Sequence, residues 1–144
     1  MFRAVLCAGL ILATPALAHE GVSDPSVKAR MDAMMAIGRA TEVLGTMAKG
    51  ERAFDATAAS TAAAEIASHA SQVPALFQDQ ATDPKSEALP AIWTNFNDFT
   101  AQSDALKLAA EGADTSSLSG LRGSMRAIGQ SCGACHRDYR LTKD

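Results

Sequence analysis

The chain is short of several things, and each shortage removes a class of function. It has three cysteines and three histidines in 144 residues, and Cys7 lies in the apolar stretch at the N-terminus. Only Cys132 and Cys135 are left, with no second pair; a structural zinc site wants four ligands and has only His19 and His69 to add, which disfavours it. Runs of β-branched residues are missing, which removes the βαβ setting of a thioredoxin-type dithiol and, in so alanine-rich a chain, favours helix. No stretch after the N-terminus is apolar for long enough to span a bilayer. Cations are outnumbered, 13 Lys and Arg against 16 Asp and Glu, which argues against nucleic acid as a partner. A Ser/His/Asp grouping, a phosphate loop and a metal-ligand cluster are all lacking, so no enzyme is expected.

At the N-terminus, Met1–Ala18 has the form of a secretory signal. Arg3 supplies the basic start, Ala4 to Ala13 an apolar run too short to cross a membrane, and Ala16-Leu17-Ala18 a small-x-small cleavage site before His19. The expectation is an exported, periplasmic protein whose mature part, residues 19–144, is one domain.

That domain reads as four amphipathic helices, an all-α antiparallel four-helix bundle. Asp24-Pro25 opens the first, with a capping side chain and a proline whose missing N–H costs nothing there, and Lys49-Gly50 ends it. Val27, Met31, Met34, Gly38, Thr41, Gly45 and Ala48 form its expected inward seam. The second spans about Asp55 to Ser71, with Ala59, Ala62, Ile66 and Ala70 inward and Pro74 marking an end or a kink. A long connection follows, broken by Asp83-Pro84 and Leu89-Pro90. The third spans roughly Pro90 to Ala110 and carries Ile92, Phe96, Phe99, Leu106 and Ala110. The fourth begins near Asp114–Ser117, and Leu118, Leu121, Met125, Ile128, Cys132, Cys135 and Tyr139 keep the same spacing.

The chemistry sits on that last seam. Cys132-Gly133-Ala134-Cys135-His136 is the C-x-x-C-H pattern of covalent c-type haem attachment. On a helix these positions share one face, so both sulfurs and the imidazole meet one flat ligand. Cys132 and Cys135 would hold one haem c per chain through thioether bonds, and His136 would supply the proximal nitrogen to iron. A disulfide between the two cysteines would leave His136 without a role. The second axial ligand decides function. Met125 lies about three turns before His136 on the same helix and cannot reach the other haem face. Met34, on the first-helix seam, is the candidate, with Met31, Met35 and His69 as alternatives to it.

These residues resemble the cytochrome c prime superfamily. The carrying stretches are Ala33-Met34-Met35, Gly38-Arg39, Val43-Leu44-Gly45, Ala48-Lys49-Gly50-Glu51, Ile92-Trp93, Ile128-Gly129, and the C-terminal C-x-x-C-H followed by Arg137-Asp138-Tyr139-Arg140. The likeness is strongest to the low-spin branch called cytochrome c-556. It implies that Met34 is the distal iron ligand, that Arg30 lies near the haem propionates, that Arg140 sits beside the proximal imidazole and that Tyr139 packs against the haem. It implies one-electron transfer with unidentified periplasmic redox proteins, in a chain that is not membrane-spanning and that forms homodimers in some relatives. The alternative is a five-coordinate protein that binds nitric oxide or carbon monoxide over an apolar pocket lined by Met34.

Overall fold

The computed structural model describes residues 21–142; the expected signal Met1–Ala18, with Cys7 and the expected cleavage site, and His19 lie outside them. Five helices follow one another, α1 (Pro25–Lys49), α2 (Ala56–Leu76), α3 (Ala91–Thr94), α4 (Phe96–Glu111) and α5 (Leu118–Tyr139). The four long ones form the expected bundle, α3 being a single extra turn before α4. Among the described residues no helix is long and apolar enough to cross a membrane.

Local chemistry sets most of the ends. Asp24 Oδ1 accepts the backbone N–H groups of Ser26 and Val27 at 2.8 and 3.0 Å, and Pro25 takes the first helical position. Gly50 closes α1 at φ 81°, a left-handed cap that a side chain would strain. Asp55 caps α2 through Ala58 N–H at 2.9 Å, and Ser117 caps α5 through Gly120 N–H at 3.1 Å.

Two boundaries differ from the sequence reading, each for a physical reason. Helix α2 runs through Pro74 to Leu76 instead of stopping near Ser71. Proline has no N–H for the Ala70 carbonyl four residues earlier, but Ser103 of α4 donates its hydroxyl to that carbonyl at 2.8 Å, with both residues buried. The lost helical bond is replaced from a neighbouring helix. The third helix, expected to be continuous, breaks at Asn95 (φ −126°, ψ 41°). The turn before the break is pinned by the Trp93 indole N–H, which donates to the Phe77 carbonyl at 2.8 Å.

The core lies where small residues let helices approach. Ala59, Ala62, Ile66 and Ala70 of α2 are buried as expected, joined by Ala63, Ala67 and Val73. Phe77, Phe99 and Tyr139 link the end of α2 to α4 and α5, with ring centroids 5.0 Å apart for the first pair and 5.3 Å, edge to face, for the second.

On α1 the buried face is Val27, Arg30, Ala33, Ile37, Ala40, Leu44 and Met47. Apart from Val27, the expected seam is displaced by one residue, about a quarter turn around the helix. Met31, Met34, Thr41, Gly45 and Ala48 are half-buried and Gly38 is exposed. They form the flank of α1 that turns toward α5, and that flank matters for the site.

Candidate functional site

Helix α5 continues unbroken through the motif, so Cys132, Cys135 and His136 occupy positions i, i+3 and i+4 of regular helix. The two thiols are free and half-buried against the apolar core. Burial pushes both thiol pKa values up. That of Cys135 reaches about 11, with nearby Cys132, Asp138 and Asp98 adding to the effect of burial. His136 lies at the exposed border of the same face. Its pKa is pushed down by the protein shielding part of the ring and then by Arg140, against an opposing pull from Glu87.

The partner surface is α1, and two contacts fix its register. Arg122 Nε donates to the Ala48 carbonyl at 2.7 Å, and a Cβ placed on Gly45 would stand 4.0 Å from the Met125 methyl. The helices run antiparallel from that point. Counting equal steps back along α1 from Ala48 and forward along α5 from Arg122 brings Gly38 level with Cys132, and Met34 level with His136.

Toward that end the two helices leave room. A Cβ added to Gly38, Gly129 or Gly133 would meet nothing within 4 Å. The Thr41 hydroxyl, on the α1 flank between Gly38 and Gly45, is buried without a hydrogen-bond partner, whereas Thr46 bonds back to the Glu42 carbonyl at 2.8 Å. The α1–α5 side is the most sparsely packed of the four sides of the bundle. Two thiols, an imidazole and a thioether thus lie on the facing flanks of α5 and α1, beside exposed glycines with open space at their Cβ positions and near a buried orphan hydroxyl. This donor set fits a covalently attached haem. Among the described residues no cluster of His, Cys, Asp and Glu is placed to hold a bare metal ion.

A family model described as Cytochrome C' matches residues 25–140. The chain belongs to the cytochrome c′ family. It is therefore a c-type haem protein, and Cys132 and Cys135 are consistent with that family's C-x-x-C-H motif. Cytochrome c-556 of Agrobacterium tumefaciens (strain apple 185) is 38% identical over 120 residues, covering 81% of this chain and 94% of the relative. Cytochrome c′ of Rhodopseudomonas palustris is 32% identical over 146 residues, covering 98% and 97%. Among solved structures, cytochrome c556 of R. palustris superposes with a TM-score of 0.76 at 28% identity, covering 85% of this chain and all of the other. Cytochrome c′ of R. palustris gives 0.77 at 29%, with the same coverage. Both branches weighed in the sequence are thus represented among this cytochrome's relatives.

The remaining expected site residues are placed as follows. Arg30 is buried, and its Nε and Nη1 donate to the Leu76 and Ala81 carbonyls at 2.9 Å each, while Nη2 donates to the Asp79 carbonyl. Its guanidinium also lies over Phe77, 4.7 Å from the ring centroid. Burial lowers its pKa, with Asp79 and Asp24 acting against that, and an arginine stays charged regardless. These bonds fasten the loop after α2 to α1 and use three of the five guanidinium N–H groups.

Tyr139 is buried edge-on against Phe99 with its hydroxyl donating to Asp98 at 2.6 Å. That bond, reinforced by burial and by the Asp98 charge, pushes the phenol pKa up to about 12. Arg140 pairs with Glu87, Nη2 to Oε2 at 2.7 Å, on the rim of an open depression of about 580 Å³ that His136 also lines. His69 is half-buried on α2 and Met35 is 39% exposed, while Met47 is core. Thr41 belongs to the seam expected from the sequence, whereas Glu87 and Asp98 carry no sequence signal. The partners of Glu87 and Asp98 are 53 and 41 residues away, and no local spacing encodes such pairings.

Proposed function

We propose that this cytochrome is a one-electron carrier whose haem iron is held between His136 and Met34. The register of the two helices supports the reading: among the described residues, Met34 is the methionine that counts level with His136 across the facing flanks of α1 and α5. Cys132 and Cys135 would hold one haem c through thioethers, with Arg30 and Arg140 flanking it. A haem with two protein axial ligands supplies a reversible ferric/ferrous couple, and a thioether ligand favours the ferrous state. The chain's part would be to hold the iron through His136 and Met34, shield the ring from water with α1 and α5, and leave no coordination site for a substrate. The identity to proteins named cytochrome c-556 supports this reading, and the leader Met1–Ala18 supports export to the periplasm.

Met34→Leu tests the ligand assignment. The variant should convert a low-spin spectrum to high-spin and bind carbon monoxide readily. An unchanged low-spin spectrum would remove Met34 and point to Met31, Met35 or His69.

A further inference from the structure

The charge of this chain is unevenly placed. Residues 21–117 carry seven Lys and Arg against thirteen Asp and Glu, whereas residues 118–142 carry Arg122, Arg126, Arg137 and Arg140 against Asp138 alone. All four arginines are exposed. At 100° per residue they fall on one solvent-facing side of α5 and its extension, together with Gly133 and adjoining His136. Arg122 and Arg140 are tethered, to the Ala48 carbonyl and to Glu87, while Arg137 is 72% exposed beside Asp138 at 3.5 Å. At the centre of this end lies the open depression lined by Gly133, His136, Arg137, Arg140, Leu141 and Thr142 and by one acid, Glu87, which is paired with Arg140; Leu141 is 50% exposed. One exposed leucine within a charged, mostly basic rim suits a small, polar docking contact of the kind made at protein interfaces.

We propose that this basic side of α5 is the docking surface for an acidic protein redox partner. The inference rests on the electron-carrier reading and adds to it the chemistry of the partner and the side on which it binds. Charge complementarity selects the occupant. Residues 21–117 are net negative and α5 is net positive, so the more attractive approach for an acidic protein is also the one that brings it to the C-x-x-C-H helix. A lipid surface is disfavoured because Leu141 is the one large apolar side chain exposed there.

The test is stopped-flow oxidation of the ferrous holoprotein by an acidic plastocyanin. One electron passes from haem to Cu(II), and no bond is made or broken. Arg126→Gln/Arg137→Gln removes two positive charges from the surface. Ser60→Glu/Ser68→Glu adds two negative charges on the exposed side of α2, diagonally across the bundle, so both variants change net charge equally.

The wild-type rate should fall as salt rises. The α5 variant should be roughly tenfold slower at low ionic strength, and the α2 variant nearly unchanged. Equal effects from the two variants would overturn the proposal, because net charge would then be responsible. Salt-sensitive binding to phosphatidylglycerol vesicles that the α5 variant loses, with no change in its electron-transfer rate, would also overturn it and assign the surface to lipid. Carbon monoxide binding by the wild type would defeat the carrier reading by itself, whatever these rates do. A low-spin, gas-indifferent protein whose rates ignore the α5 charges would defeat the docking surface alone.

Discussion

Removing the Ser103 hydroxyl should destabilise the bundle, and only because Pro74 is there. In the wild type the Ala70 carbonyl is fully buried and has no helical donor, since residue 74 is proline; the Ser103 hydroxyl takes that place at 2.8 Å. Ser103→Ala leaves a buried carbonyl unsatisfied, at a cost of about 2 kcal/mol within the roughly 1–3 kcal/mol range for such groups. For a domain of this size that is a fall of roughly 8 °C in Tm. In a Pro74→Ala background residue 74 regains an N–H and can bond Ala70 itself. Ser103→Ala should then cost under about 0.5 kcal/mol, giving a coupling of about 1.5 kcal/mol in the double-mutant cycle. The assay is thermal and denaturant unfolding of the four holoproteins followed by circular dichroism. Equal costs of Ser103→Ala in both backgrounds would refute the reasoning, because the hydroxyl would then be acting as ordinary packing.

Arg30→Met removes three hydrogen bonds to the carbonyls of the loop after α2 and the cation over Phe77. The expected loss is about 3 kcal/mol in the same unfolding assay, some of the gross loss being offset by water reaching the freed carbonyls. A loss under roughly 1 kcal/mol would mean that the fork does not secure the loop. Tyr139 is the single tyrosine, so ultraviolet titration reads it alone. It should ionise near 12 in the folded protein and near the usual value of about 10 when unfolded or in Asp98→Asn. Because the folded value is raised, this hydroxyl's contribution to stability is intact below about pH 10 and is lost as pH climbs through about 12. A folded-state midpoint near 10 would mean that the bond to Asp98 does not form in solution.

What the sequence made legible follows from how local each cause is. The cap at Asp24, the helix starts near Asp55 and within Asp114–Ser117, the glycine stop at Gly50 and the alanine face of α2 depend on neighbours within a turn or two, and they stand where the pattern placed them. The run of α2 through Pro74 depends on a serine 33 residues away from Ala70, and the break at Asn95 goes with an indole reaching the end of α2. Neither is written in a local window. The α1 seam is the instructive case. Its spacing was read as the packed core face, yet Met34, Thr41, Gly45 and Ala48 lie a quarter turn aside, facing α5. A helix that lines a cofactor cleft has two inward faces, and a period of three and four selects a stripe without saying which of the two neighbours it meets. The motif at Cys132–His136 was legible because its spacing is itself the chemistry. The residues that surround it from other elements, Glu87 and Asp98, were not.

The central claim is that His136 and Met34 close both faces of the haem iron. Visible and electron paramagnetic resonance spectra of the purified holoprotein, oxidised and reduced, with and without carbon monoxide, test it most directly. The account predicts a low-spin ferric signal and sharp reduced bands that do not respond to the gas. A high-spin signal that shifts when carbon monoxide is added would contradict it and make gas binding the function.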